Sequence, residues 1–309
     1  MKKVLVVASA LISGAIGFLV YSFNKNLDYH VVNHRLKVLP PGSKPIKILH
    51  LSDIHMSERQ NRKRKFIKRL YAEAPDLIIN TGDNISSNFA IADLENSLNE
   101  LLDIPGVFVF GSNDYFAPRP VKPLRYLIKK PFTVSRRTIK RLDTLRLEKI
   151  LKSKGWILIN NRRDTLEVNG TKISFVGVND PHIGADEFPY LEHNAIPEDS
   201  VLKIGVTHAP YIMTIQQMLD DDCDFIFAGH THGGQVRLPK LGALITNSDL
   251  PRKYAKGLFD LSEVHSPAIS SVKPVYLQVS GGIGSPPSFP LRPFNAPEAV
   301  MITLLPKGA

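Results

Sequence analysis

The chain has 309 residues, 43% of them hydrophobic, with a formal net charge of +10. That apolar content excludes a disordered polypeptide, and a single cysteine, Cys223, excludes an internal disulfide framework. The positive charge calls for an anionic partner, whether phosphate groups, a membrane surface or nucleic acid, without choosing among them.

Residues 1–26 open with Lys2 and Lys3, followed by an almost uninterrupted apolar stretch from Val4 to Phe23. That is about the ~20 residues a helix needs to cross a bilayer. A cleaved signal peptide has a shorter apolar region followed by a small-x-small site, and Tyr21-Ser22-Phe23-Asn24-Lys25 offers none. The expectation is an uncleaved signal-anchor helix with the body of the protein outside the cytoplasm, an orientation that Lys25 on the far side weakens. Residues 27–45 read as a linker or edge strand ending in Pro40-Pro41-Gly42, and 46–309 as the catalytic-sized domain.

Three strand–loop–helix units follow in succession. Ile46–Leu51 reads as a strand and delivers Ser52-Asp53-Ile54-His55; Arg59–Arg69 is basic with helical spacing. Leu77-Ile78-Ile79 is the next strand, ending in Asn80-Thr81-Gly82-Asp83-Asn84, before a helix over Ile91–Leu102. Val107–Phe110 is the third, ending in Gly111-Ser112-Asn113-Asp114. Such an alternation predicts an α/β layered fold, in which ligands bind beyond the carboxyl ends of the strands.

Arg119–Lys154 breaks the pattern. Thirteen Lys and Arg stand against Asp143 and Glu148, a local charge of +11, with Leu124, Tyr126, Leu127, Ile128 and Phe132 interleaved. A solvated charged face is the ordinary reading of such a run. The alternative is a basic cap beside the site, in which Lys129, Lys130, Arg136 and Arg137 meet a phosphate-bearing substrate or an anionic membrane or cell-envelope surface.

Thr165–Val176 reads as a hairpin around Asn169-Gly170, leading to Gly177-Val178-Asn179-Asp180-Pro181-His182. Val201–Val206 is a strand ending in Thr207-His208-Ala209-Pro210, and Tyr211–Leu219 has helical spacing. Phe225-Ile226-Phe227 leads into Ala228-Gly229-His230-Thr231-His232-Gly233-Gly234-Gln235. A His-x-His pair in a glycine loop can turn both imidazoles to one point, and glycine lets the backbone approach a ligand closely. Tyr276–Val279 and Ala299–Leu305 are late strands around the Gly/Pro-rich stretch Gly281–Pro297.

Together the strand-end loops carry Asp53, His55, Asp83, Asn113, His208, His230 and His232. This nitrogen–oxygen set is too rich for one metal ion and suits two; its imidazoles fit Mn, Fe or Zn and disfavour an all-Mg site.

The ordered series D-x-H, G-D-N, G-x-N-D, T-H-A and G-H-T-H resembles the calcineurin-like metallophosphoesterase family over roughly Ile46 to Leu305. Within it, the Gly-rich Gly281–Glu298 segment with its Asn-x-Pro-Glu ending is similar to bacterial membrane-associated or exported members. The resemblance implies a two-sheet α/β/β/α sandwich. It places Asp53, His55 and His232 on one divalent ion, Asn113, His208 and His230 on the other, and Asp83 between them. It implies hydrolysis of a phosphomonoester or phosphodiester by metal-activated hydroxide attacking phosphorus in line. One departure stands out. The family reads G-N-H-D/E, its histidine helping the leaving group or binding phosphate, and Asp114 is read here as standing in that histidine's place. A carboxylate beside two dications stays ionised and makes a poor general acid; His182 is the candidate substitute. Competing readings are a non-catalytic membrane or cell-wall binding protein on the same fold, and a nuclease, which the anchor and the lack of an aromatic single-strand platform disfavour.

Overall fold

Two six-stranded sheets stack face to face, and the alternation of side chains along each strand decides what fills the space between them. The computed structural model describes residues 2–118, 140–190, 200–264, 269, 271–287 and 289–308, with backbone alone for residues 2–12 and 15. In chain order the first sheet takes β1 (His30–Leu39), β2 (Ile46–Leu51), β3 (Leu77–Asn80), β4 (Gly106–Phe108) and β5 (Ile157–Leu158), and recruits the last strand, β14 (Glu298–Pro306). The second is built from β6 (Arg162–Val168), β7 (Thr171–Val178), β8 (Leu202–Thr207), β9 (Phe225–Ala228), β12 (Gly257–Asp260) and β13 (Tyr276–Val279). Between β9 and β12 a small ribbon pairs β10 (Arg237–Leu238) with β11 (Gly242–Ala243).

The strand orders are β1-β14-β2-β3-β4-β5 and β12-β13-β9-β8-β7-β6. β2, β3, β4 and β5 pair in parallel, as do β7, β8, β9 and β13. Parallel strands buried on both faces read as continuous apolar runs. That is why Ile46–Leu51 and Phe225–Phe227 show little alternation. Ile46, Ile48, Ile79 and Val107 of the first sheet meet Phe175, Ile204, Val206, Phe225 and Phe227 of the second in the central core. Burying each such side chain contributes about 1.5–3 kcal/mol. Leu49, Leu51, Ile78 and Phe108 point the other way, into the layer made by α2 (Asn61–Arg69), α3 (Ile91–Leu98) and α5 (Thr144–Leu151). Val176, Ile226 and Leu277 face α6 (Ile212–Asp220), with Cys223 buried among them. The layering is the α/β/β/α sandwich that the resemblance implied.

Of the two readings of residues 27–45, linker or edge strand, residues 30–39 take the second: β1 lies at the edge of the first sheet and pairs in parallel with β14 along nearly its whole length, a partner more than 260 positions away. The basic run does not continue as a cap to Lys154, because α5 lies inside it, capped by the Asp143 carboxylate, and buries Leu147, Ile150 and Leu151 in the core. Its charged residues are the solvent side of an amphipathic helix. Lys129, Lys130, Arg136 and Arg137 lie outside the described residues.

The first helix, α1 (Lys2–Lys25), has 24 residues. Among the described residues no helix is long and apolar enough to cross a membrane. The foot of α1 is docked on the domain. Tyr21 packs on Phe294 with ring centroids 5.1 Å apart, and Asn26 Oδ1 accepts from Ser285 Oγ at 3.0 Å.

Candidate metal centre

The parallel strands of both sheets end on the same side, so the loops after β2, β3, β4, β8 and β9 converge. Their turns are tight. Asp53, His55, Asp83, His230 and His232 all have positive φ, between 43° and 67°. Each such non-glycine residue costs on the order of 1–3 kcal/mol and persists only where surroundings over-determine it. Backbone bonds do so here: Asp53 N donates to Gly82 O at 2.9 Å and His55 N to Asp83 O at 2.9 Å, locking the first two loops together. Gly229 lets the third approach, because a Cβ there would run into Ser52 Oγ and stand 2.5 Å from Asp53 Oδ2.

The side chains then meet. His55 Nε2 lies 3.3 Å from His232 Nε2 and 3.5 Å from Asp83 Oδ2. His232 Nε2 is 3.5 Å from Asp53 Oδ1. On the other side of Asp83, His208 Nε2 is 3.6 Å from Asp83 Oδ2 and 3.3 Å from His230 Nδ1. Donor atoms of Asp53, His55 and His232 lie within 4.8 Å of one another, as do those of Asp53, Asp83 and His208. The structure thus brings six of the seven sequence-predicted ligands into direct contact. Asn113 joins through Asp83: its backbone N–H donates to Oδ1 at 2.7 Å and its amide Nδ2 to Oδ2 at 2.6 Å.

Three of the four imidazoles are held in the form that can bind a cation. Burial, helped by the charge of neighbouring groups, holds His55 and His230 well below the usual imidazole range and His232 down at about 3, so these rings keep free lone pairs. Burial works against charge on His208 too, but the carboxylates of Asp83, Asp180 and Asp53 outweigh it and pull that ring up to about 9. Asp53 Oδ1 is buried with no hydrogen-bond partner, facing two imidazole nitrogens. A buried carboxylate oxygen aimed at imidazole lone pairs is what a divalent ion would satisfy. The residues therefore fit metal binding.

Surrounding groups fix the ligands' orientation, as outer-shell partners of metal sites do. His208 Nδ1 is 2.7 Å from Thr81 O, which turns Nε2 to the centre. His230 Nε2 is 3.0 Å from Asn247 O, which turns Nδ1 inward instead. A relay runs from His50 Nε2 to Thr81 Oγ1 at 3.0 Å, from Thr81 to Ser52 Oγ at 2.7 Å and from Ser52 to Asp53 Oδ2 at 2.6 Å. Two buried basic side chains brace the ligand loops from behind. Lys63 Nζ donates to Ile54 O at 2.6 Å and His55 O at 3.0 Å. Arg292 holds the carbonyls of Gly281, Gly282, Gly284 and His232. The Asn-x-Pro-Glu ending braces the same loops. Asn295 Nδ2 donates to His232 O at 2.6 Å, and Glu298 Oε1 accepts from Gly281 N at 2.8 Å.

Asp114 is not where the sequence reading put it. It is fully buried, and both oxygens face backbone amides: Oδ1 accepts from Asn84 N at 2.7 Å, Oδ2 from Asp83 N at 2.9 Å and Gly111 N at 3.1 Å. Burial first, then the charge of Asp83, raise its pKa to about 7. It caps the short helix α4 (Ser112–Tyr115) from the third position after Gly111 and braces the Asp83 loop. That is the place of the acid in G-N-H-D/E. Aligned without a gap, Asn113 rather than Asp114 stands at the histidine place, and Ser112 at the asparagine place. His182 does reach the centre, with its ring centroid 4.5 Å from that of His230. Sequence reasoning passed over Asp180, which is buried with Oδ2 unpartnered and its pKa raised by burial; its signal was its position in a polar loop after a buried strand.

Residues 46–234, well over half of the chain, match the family model described as calcineurin-like phosphoesterase. The chain belongs to that family. It is thus a metallophosphoesterase, a hydrolase of phosphoric ester bonds. It is 30% identical to the Bacillus subtilis protein YpbG over 65% of this chain and 66% of that one. It is 25% identical to the Escherichia coli phosphodiesterase YaeI over 98% of each. Among solved structures, TT1561 of Thermus thermophilus aligns with a TM-score of 0.40 at 12% identity, over 77% of this chain and 90% of that one.

Proposed function

We propose that this metallophosphoesterase binds two divalent ions and hydrolyses a phosphoric ester borne on a lipid or another cell-envelope component, held at the membrane by α1. The observation that carries the two-ion reading is the position of Asp83. Its Oδ2 lies 3.5 Å from His55 Nε2 and 3.6 Å from His208 Nε2, between two sets of ligands. Asp53, His55 and His232 would hold one ion and His208 and His230 the other, with Asn113 hydrogen-bonded to the shared carboxylate. When bound, such a pair activates water near neutral pH and neutralises the phosphoryl oxygens. Mn, Fe and Zn all suit the donor set.

Support for the membrane setting comes from α1. Its side chains Ile16, Phe18, Leu19, Val20 and Phe23 are 45–56% exposed, an apolar surface that lipid would cover. They continue the apolar run that starts at Val4. The same helix foot rests on the segment whose Arg292 and Asn295 hold the His232 carbonyl, so a membrane-held α1 would keep the ligand loops close to the lipid.

The test is hydrolysis by the full chain in detergent, loaded with Mn, against phosphomonoester, phosphodiester and pyrophosphate substrates, alongside the same esters displayed on vesicles. The reading expects metal-dependent turnover, faster for the vesicle-borne ester, and retention of the chain in membranes through alkaline wash. Absence of turnover on every ester would leave a binding protein; release of the intact chain by salt alone would remove the anchor.

A further inference from the structure

The loop after β4 offers the substrate no free imidazole. Asn113 is engaged with Asp83 through both its backbone N–H and its amide, and Asp114 is turned into the protein against backbone amides. An oxygen leaving phosphorus therefore meets no imidazole on this side. The opposite sheet supplies one.

His182 sits on the one-turn helix Pro181–Ile183 that follows β7. Its ring is exposed and lies against His230, with centroids 4.5 Å apart, so it borders the open side of the centre. Its Nδ1 is 3.0 Å from Tyr211 Oη. We assign the donor role in this contact to the phenol, whose proton is retained because burial, reinforced by Asp180 and Asp249, pushes it up to about 12. With Tyr211 donating to Nδ1, the neutral imidazole carries its hydrogen on Nε2, which has no partner among the described residues.

The turn is held in place. His182 N donates to Asp180 Oδ1 at 2.8 Å, and Gly184, at φ 62°, closes it by donating to Pro181 O. It is also registered to the loop it would complement. Tyr115, the residue after Asp114, donates its hydroxyl to Asn179 Oδ1 at 3.0 Å and accepts from Asn160 Nδ2 at 2.9 Å. Asn179 N in turn donates to Asn161 Oδ1 at 2.7 Å.

We propose that His182, oriented by Tyr211, contacts the substrate and donates its Nε2–H hydrogen bond to the leaving-group oxygen. The bond stabilises the negative charge that collects on that oxygen as the P–O bond breaks. This role rests on the phosphoesterase reading above, and it needs no change of charge on the ring.

The experiment uses the full chain in detergent with a series of aryl phosphodiesters, from 4-nitrophenyl to unsubstituted phenyl leaving groups. A donor to the leaving oxygen matters most where the leaving group is poor. His182→Ala should lower kcat more on the phenyl ester than on the nitrophenyl ester, widening the ratio between them by about tenfold or more, within the range of a single positioned donor. His182→Gln, which retains an N–H, should recover part of the ratio. Tyr211→Phe should widen it in the same direction by less. Histidine 15N spectra of the wild type should show His182 as the Nε2–H tautomer, mixed in Tyr211→Phe. Metal content by elemental analysis should match the wild type throughout. An equal loss on every leaving group, or a loss of metal in His182→Ala, would overturn the role while leaving the phosphoesterase reading intact. A metal-loaded wild type inert to every ester would overturn both.

Discussion

His55 and His232 come from different sheets, after β2 and β9, and their Nε2 atoms stand 3.3 Å apart. Two imidazole nitrogens at that distance are stable only if a proton or a cation lies between their lone pairs. Burial and neighbouring positive charge hold both rings far below ordinary histidine basicity, so neither is an imidazolium: the neutral pair shares one N–H or, with both Nε2 lone pairs free, a cation. The carboxylate oxygen facing them, Asp53 Oδ1, has no other partner.

Ser52→Ala tests how far that carboxylate depends on its support. The Ser52 hydroxyl links Asp53 Oδ2 to Thr81 and His50, touches no imidazole ligand and is buried. Removing an outer-shell partner of a metal ligand typically lowers affinity about 10–100-fold. Titration with Mn, followed by calorimetry, should show a fall of that size with little change in the melting curve of the metal-free chain. Unchanged affinity would mean that Asp53 is held by His230 N alone.

Gly229→Ala should be more damaging. The added methyl would strike Ser52 Oγ and press on Asp53 Oδ2, in a core where overpacking costs about 1–3 kcal/mol. The expected outcome is a folded chain with a lowered melting temperature and a reduced metal content after reconstitution. A variant with wild-type metal content would show that the loops after β2 and β9 have room to part.

Much of this centre was legible in the sequence because buried parallel strands are short apolar runs and their ends are short polar loops. Asp53, His55, Asp83, His208, His230 and His232 each follow such a run directly. What the sequence hid is what acts at a distance. Lys63 lies in a run of basic residues that reads as solvated surface, yet it is 2% exposed and bonded to ligand-loop carbonyls. Arg292 sits in a Pro-rich stretch with no periodicity, and its carbonyl partners are set by tertiary folding. Asp114 was misread by one position: the gapless alignment already gives it the acid's place, and the backbone bonds to Gly111 and Asn84 show that it serves there as a cap. The helix Thr144–Leu151 was concealed by the charge around its three core residues.

Lys63 makes a pH-dependent prediction. Burial, with Arg292 adding to it, lowers its pKa from 10.5 to about 7. Between about pH 7 and 10.5 the unfolded chain then holds a proton that the folded chain has released. Stability contributed through this group therefore rises with pH across that window, by up to about 1.4 kcal/mol per pH unit for one proton. Below pH 7 both states are protonated and the contribution is flat. Urea denaturation of wild type and Lys63→Met at pH 6, 7.5 and 9 should give curves whose difference changes between 7.5 and 9 with the wild type gaining. Differences that stay constant with pH would show that the amine is charged in both states.

The most direct measurement is metal stoichiometry with turnover on the same sample. The full chain is reconstituted with Mn, Fe or Zn, analysed for bound ions and assayed on a phosphodiester, beside Asp83→Asn. The account predicts about two ions per wild-type chain and metal-dependent hydrolysis, as in two-metal hydrolases. For Asp83→Asn, which removes the charge shared by both ligand sets, it predicts at most one ion and a loss of activity beyond the ~100-fold of an outer-shell change. A wild-type chain that hydrolyses the diester with fewer than one ion bound, or an Asp83→Asn variant that keeps both ions and its rate, would contradict it.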